Sequence, residues 1–195
     1  MYSFNNIKKI CLQKIKENMN NSMIWASPSN EPPYRYYWIR DAALVYRCLI
    51  DIYSQDKENE ILVNLLKYID NETKIQEINT LTGLGEPKIN MDFTAFNDSW
   101  GRPQNDGPAL RGLNMIKLYS LLYDKYKTIF EKIIYPIIKK DIDYICKNYK
   151  QPCFDIWEEH YGWHFYTRAV QLKFLKEYKK FYKQYNYNCV DDIDN

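Results

Sequence analysis

This sequence of 195 residues has almost no net charge, no long apolar run and only two histidines. Its 27 Lys and Arg residues nearly balance 25 Asp and Glu, which gives a formal net charge of +2. Proteins that bind nucleic acid by neutralising phosphates need a basic excess, so we expect no nucleic-acid partner. No apolar stretch approaches the ~18 residues of a membrane-spanning helix, and we expect no membrane partner. A chain of this length buries about 70% of its unfolded surface, which predicts a soluble globular domain.

The cysteines of the sequence form no informative pattern. The five cysteines are odd in number and form no CxxC pair, so the sequence indicates neither a zinc site nor a disulfide framework. The first ten residues lack the apolar core and the small-residue cleavage site of a secretory signal. Reduced thiols and a cytoplasmic location are the favoured interpretation, although the compartment itself stays undetermined at this point.

Helical apolar spacing covers almost the whole chain. Apolar residues recur every three or four positions in six segments, which begin near residues 4, 41, 61, 109, 128 and 163. No run alternates with the period of a β-strand, so we expect an all-α chain. Pro136 should kink or divide the fifth helix. Arg111, Asn114 and Lys117 lie three residues apart on the fourth helix and should form a narrow solvent-facing stripe.

Three segments between the predicted helices are rich in glycine, proline and aromatic residues. They span residues 26–38, 82–108 and 151–162. Long ordered loops in a compact helical domain are uncommon and usually carry function. Each segment precedes a predicted helix, so we expect all three to lie at one end of the helices.

The third loop places three carboxylates around a tryptophan, in the order Asp155, Trp157, Glu158 and Glu159. Glycoside hydrolysis needs a carboxylic acid that stays protonated near neutral pH and protonates the leaving oxygen. Neighbouring carboxylates and an apolar indole both raise the pKa of a carboxyl group. The alternative is a capping box at a helix start, which Asp155 and Glu158 would form equally well. Gly162 weakens that alternative, because a helix begun at Asp155 should continue through it.

The second loop combines Trp100 with Arg102, Asp106 and Arg111. A rigid aromatic platform could meet a sugar ring, and the three charged residues could form an ion-pair network that fixes the loop. The alternative is a core tryptophan beneath a turn, with Pro108 at the first turn of the next helix.

Arg40 and Asp41 stand at the start of the second predicted helix, after a run of aromatic residues. Together they can donate hydrogen bonds to the vicinal hydroxyls of a pyranose and accept bonds from them. The alternative assigns Asp41 to the helix cap and Arg40 to the surface.

These segments resemble the fungal-type glucoamylases, which are family 15 glycoside hydrolases. The resemblance extends from about residue 20 to residue 175, in the order and spacing of the family. Six segments carry it, and only their combination is specific: 26–29, 37–41, 83–88, 99–104, 106–111 and 155–159.

The resemblance implies an (α/α)6 toroid of which about six of the twelve helices are present. Residues 1–185 would form the N-terminal half of the catalytic domain, and residues 186–195 a frayed acidic end. The implied activity is that of a glucan 1,4-alpha-glucosidase. It removes terminal α-1,4-linked glucose from starch- or glycogen-type chains with inversion, and it uses no metal or other cofactor.

By position, the resemblance makes Glu158 the general acid and Asp155 its electrostatic support. Arg102 would stiffen the loop of Trp100. The residues implied to contact or position the substrate are Arg40, Asp41, Trp100, Arg102, Trp157 and Glu159.

One departure from the family affects the implied activity. The general base of the family is a glutamate in the second half of the toroid, and the sequence offers no substitute after Glu177. A second half-domain or a homodimer could complete the toroid. The alternative function is a catalytically inactive carbohydrate-binding or regulatory homologue that lacks the base. A basic interaction module on residues 173–183 is explained better as a solvated helix face.

Overall fold

The computed structural model describes residues 4–29, 31–32, 34–185 and 187. Its helices are α1 (Phe4–Glu17), α2 (Ile39–Asp56), α3 (Asn59–Ile75), α4 (Gly107–Asn148) and α5 (Phe165–Tyr185). The backbone leaves helical geometry at Tyr126, which divides α4 into an N-terminal and a C-terminal segment. The six predicted helices are thus present. The predicted frayed end, 186–195, lies outside the described residues except for position 187.

The break in α4 is not where the proline predicted it. Helical backbone angles continue through Pro136, and the non-helical residue is Tyr126. Proline removes one helical hydrogen bond, but tertiary packing can hold the helix around it. Ile134, Ile137 and Ile138 surround Pro136 and are buried in the core, which supplies that packing.

Three short antiparallel ladders, which the sequence did not predict, join the loops. They pair β1 (Met19–Asn20) with β2 (Met23–Ile24), β3 (Tyr37–Trp38) with β4 (Lys88–Ile89), and β5 (Cys153–Phe154) with β6 (Tyr161–Gly162). Strands of two residues are too short to show a period in the sequence. The β3–β4 ladder ties the start of α2 to the second loop, and the β5–β6 ladder closes a hairpin around residues 155–160.

Helix α4 contacts both α2 and α5, and α3 packs against α2 and α4. The core between them consists of isoleucine, leucine and aromatic side chains. Gly112 allows the closest approach of α4 to α5, since a Cβ atom there would lie 2.2 Å from the Phe174 ring. None of the described helices combines the length and the apolar character that crossing a membrane requires.

The predicted solvent-facing stripe on α4 is wrong for two of its three residues, whereas the Lys117 side chain is 33% exposed. Arg111 is 1% exposed, and Asn114 is buried as well. The guanidinium of Arg111 donates to Glu72 at 3.1 Å and to Asp141 at 2.6 Å, while the Asn114 amide donates to the Ala43 carbonyl at 2.6 Å. Polar residues at helical spacing can therefore be buried when each finds a partner on a neighbouring helix.

Candidate active site

The three aromatic loops meet at the N-terminal ends of α2, α4 and α5, as the sequence predicted. Backbone hydrogen bonds connect them: the Ile39 amide donates to the Pro87 carbonyl at 2.9 Å, and the Phe154 amide donates to the Pro103 carbonyl at 2.8 Å. Pro108 lies in the first turn of α4, as expected. The loops form one rigid surface that brings the predicted site residues together.

Glu158 lies in the turn of the β5–β6 hairpin with a left-handed backbone angle, φ +66°. Its Oε1 atom accepts two hydrogen bonds, from Trp38 Nε1 and from Gln104 Nε2, each at 2.9 Å. The Gln104 amide is oriented by Arg40, which donates to the Gln104 carbonyl oxygen at 2.6 Å. Because both donors point at Oε1, a proton on this carboxyl group belongs on Oε2.

Gly101 allows the tryptophan loop to approach this turn. A Cβ atom at Gly101 would lie 2.8 Å from the Glu158 carbonyl oxygen and 2.9 Å from the Phe154 ring. Any side chain at this position would push the turn away from the loop. The spacing between Trp100 and Glu158 therefore depends on glycine at position 101.

Asp155 holds the backbone of the turn that carries Glu158. Its Oδ1 atom accepts hydrogen bonds from the amides of Glu159, at 2.9 Å, and His160, at 3.1 Å. Burial acts to raise the pKa of Asp155, but these two hydrogen bonds stabilise the carboxylate, and the net pKa is lowered. No helix begins here, so the capping-box alternative is wrong.

Arg40 and Asp41 face the loops rather than the open surface. Arg40 pairs with the buried Asp106, and although burial opposes it, this pairing raises the pKa of Arg40. Burial raises the pKa of Asp41, and the charge of Glu158 acts in the same direction. The N-cap position of α2 is Trp38 and Asp41 lies in the first turn, so Asp41 is not the N-cap residue. The Arg40 side chain is only 12% exposed, so the surface alternative is wrong.

Lys88 lies in a cage of aromatic rings beneath the loops. Its Nζ atom is within 6 Å of four ring centroids, close enough for cation–π attraction. The rings and distances are Tyr36 at 4.5 Å, Trp38 at 4.4 Å, Phe96 at 4.2 Å and Trp100 at 3.1 Å. Burial lowers the pKa of Lys88 to about 8, against the opposing charge of Glu158. The Nε1 donor of Trp100 is buried and has no partner among the described residues.

The predicted network of Arg102, Asp106 and Arg111 is wrong, because each pairs elsewhere. Arg102 donates to Glu86 at 2.8 Å and to the Asp98 carbonyl at 2.9 Å, contacts that fix the loop of Trp100. The partner of Asp106 is Arg40, and Arg111 lies in the core. Two separate ion pairs, Arg102–Glu86 and Arg40–Asp106, thus fix the surroundings of the site.

Trp157 and Glu159 lie on the outer side of the hairpin turn. Trp157 is 76% exposed, and the side chain of Glu159 is 72% exposed. The other predicted residues cluster around Glu158, so these two form the rim of the site.

Sequence reasoning missed three residues of the cluster: Trp38, Lys88 and Gln104. Each stands inside a segment quoted for the resemblance, next to a residue that was chosen. The charged residues and the loop tryptophan could be chosen because their side chains suggest acid–base chemistry or sugar stacking. No sequence pattern indicates that an indole or an amide donates to Glu158, because that contact depends on the tertiary structure.

Comparison with known proteins identifies the family. The family model of Glycosyl hydrolases family 15 matches residues 4–190. The chain is 40% identical to Glucoamylase-1 of Schizophyllum commune over 164 residues, which are 80% of this chain and 28% of that protein. This chain belongs to family 15.

Other members show how much of the family 15 domain is present. The chain is 34% identical to the intracellular sporulation-specific glucoamylase of Saccharomyces cerevisiae, over 85% of this chain and 35% of that protein. The structure of a Hypocrea jecorina glucoamylase superposes with a TM-score of 0.89 at 31% identity, covering 92% of this chain and 33% of that one. The six helices are therefore part of an (α/α)6 barrel, and the chain spans about a third of its relatives.

Proposed function

We propose that the cluster around Glu158 is the acid-bearing part of an α-glucan hydrolase site. The proposed reaction removes terminal α-1,4-linked glucose from starch- or glycogen-type chains, as in glucan 1,4-alpha-glucosidases. The observation that carries the proposal is the fixed carboxyl group of Glu158, whose Oε1 accepts from Trp38 and Gln104. This leaves Oε2 as the position for a transferable proton.

In the proposed step, Glu158 Oε2 gives its proton to the glycosidic oxygen, and the bond between that oxygen and C1 breaks toward the oxygen. Water attacks C1 from the opposite face and gives a proton to a general base, which inverts the configuration at C1. An inverting pair of carboxyl groups stands roughly 6.5–9.5 Å apart. We assign the base to the larger part of the family 15 domain, which this chain does not span.

The same cluster offers groups for the terminal glucose. Asp41 and Arg40 can accept from and donate to its hydroxyl groups, and Trp100 can stack against the ring. Asp155 positions Glu158 through the turn, and Arg102 holds the Trp100 loop. Trp157 and Glu159 would contact the substrate from the rim.

A catalytically inactive carbohydrate-binding or regulatory homologue is the second candidate. Such a protein would bind α-glucan without turnover.

For either candidate we propose a cytoplasmic location, because the Saccharomyces relative is named intracellular.

The test is glucose release from maltoheptaose by the purified chain combined with the remaining part of the family 15 domain of the Schizophyllum relative, and by the same mixture with Glu158→Gln. We expect release by the wild-type mixture and a loss of at least about 100-fold with the variant, because glutamine cannot donate the proton. Lys67→Gln, an exposed change on α3, is the matched control and should leave the rate unchanged. Binding of maltoheptaose without release would contradict the hydrolase proposal and support the second candidate.

A further inference from the structure

Two aromatic side chains stand exposed beside the candidate site. Tyr161 is 58% exposed and Trp163 is 67% exposed. Only Gly162 separates them in the sequence. They lie on the strand β6 and directly after it, in the hairpin whose turn carries Glu158. Exposed aromatic residues grouped next to a site are typical of a binding surface rather than of a solvated loop.

The backbone that presents these rings is firmly held. Tyr161 pairs with Phe154 across the hairpin, and their ring centroids are 5.4 Å apart. His164 Nε2 lies 3.1 Å from the Cys153 carbonyl oxygen, which secures the end of the hairpin. The Phe154 amide bonds to Pro103, so the hairpin is anchored to the Trp100 loop. A surface already ordered before binding loses little conformational entropy when a ligand arrives.

The charge of the segment restricts the ligand. Residues 151–167 contain no Lys or Arg, so phosphate groups and nucleic acids have no cationic partner there. The exposed side chains of Glu159 and His160 supply hydrogen-bonding groups next to the rings. Aromatic faces combined with such groups match a neutral pyranose chain, which has apolar C–H faces and hydroxyl edges.

We propose that Tyr161 and Trp163 form a sugar-binding surface, here called the ledge. It would bind the part of an α-glucan chain that extends beyond the glucose units held at Glu158. This inference rests on the proposed function. In this proposal the ledge contacts the glucose units beyond the first two. It makes the protein select polymeric or oligomeric glucans over maltose.

The experiment measures binding of maltose and maltoheptaose by isothermal titration calorimetry at one pH and salt concentration. We expect the wild type to bind maltoheptaose more tightly than maltose. Tyr161→Ala and Trp163→Ala should each weaken maltoheptaose binding about fivefold to tenfold, with maltose binding unchanged. Phe165→Ala is the matched control, because Phe165 is 90% exposed but lies on α5, and it should change neither affinity.

Trp163→Leu keeps an apolar side chain but removes the flat ring. If stacking on the ring causes the binding, this variant should weaken maltoheptaose binding as much as Trp163→Ala does. It also replaces Trp163→Ala if circular dichroism shows that the alanine variant does not fold. Unchanged maltoheptaose affinity in the ledge variants overturns the ledge and leaves the proposed function standing. Equal wild-type affinity for maltose and maltoheptaose would also overturn the ledge and leave the proposed function standing. A chain that binds neither sugar contradicts both the ledge and the proposed function.

Discussion

At the scale of single residues, the site depends on buried groups whose partners lie far away in the sequence. Glu158 is fixed by Trp38 and Gln104, which belong to the first and second loops. A carboxyl group held by two rigid donors has one defined orientation before any substrate arrives. This preorganisation is what a general acid requires.

Lys88 provides a residue-scale prediction about pH. Its pKa of about 8 in the folded protein is below the ordinary lysine value, so the folded state holds this proton less tightly than the unfolded chain does. The stability contribution of Lys88 is therefore present above the unfolded pKa of roughly 10.4 and is lost as the pH falls through 8. Relative to Lys88→Met, the wild type should gain about 2 kcal/mol of unfolding free energy between pH 7 and pH 10.

Urea unfolding of the wild type and of Lys88→Met at several pH values measures this difference in unfolding free energy. The tyrosines, which also titrate at high pH, are the same in both proteins, so their contribution cancels. Lys67→Met, an exposed lysine on α3, should show no such gain. A wild-type to Lys88→Met difference that stays flat from pH 7 to pH 10 would mean that the aromatic cage does not perturb this lysine.

The chemistry of single residues predicted much of the site but missed Trp38, Lys88 and Gln104, which surround the predicted residues. Arg40, Asp41, Trp100 and Glu158 were chosen from the sequence, and the structure places them in one cluster. Their roles stay predictions. Arg111 could not be predicted, because its spacing on α4 is that of a surface residue. Only the tertiary structure shows that carboxylates of α3 and of the C-terminal part of α4 neutralise it.

At the scale of helices and strands, periodicity located the helices but not their joints. Six apolar stripes predicted six helical segments, because each helix buries one face. The joint at Tyr126 has no glycine or proline, whereas Pro136 lies inside a helix that the core holds together. The β5–β6 hairpin was missed because its strands have two residues each, and the acidic turn inside it is typical of a helix start as well.

The contact between α4 and α5 gives an element-scale prediction. In Gly112→Ala, the new methyl group would meet the buried Phe174 ring at about 2.2 Å, so one helix must shift. We expect a loss of about 1–3 kcal/mol in unfolding free energy despite the better helix propensity of alanine. Urea denaturation measures the loss as a lower midpoint with an unchanged slope.

Two further variants isolate the packing cause. Ser120→Ala, at an exposed position of the same helix, should stay within about 0.5 kcal/mol of the wild type. The double variant Gly112→Ala with Phe174→Leu should lose less than the two single changes combined, since the smaller side chain makes room for the methyl group. Additive losses would show that the two positions do not interact.

At the scale of the whole molecule, the six helices leave surfaces that a closed barrel would cover. Large apolar residues stay substantially exposed on α5 (Phe165 and Leu172) and on α2 (Leu44). In the family 15 barrel, such faces would be covered by the part of the domain that this chain does not span.

The central claim is that the cluster around Glu158 binds the terminal glucose, and the indole N–H groups of the five tryptophans report on it directly. Each gives its own signal in a nitrogen–proton NMR spectrum, assigned through single Trp→Phe variants. On addition of maltose, the signals of Trp100 and Trp38 should shift most, because their N–H groups lie at the cluster. The signal of Trp25, outside the cluster, should stay in place. Shifts at Trp25 without shifts at Trp100 and Trp38, or no shifts at all, would contradict the account.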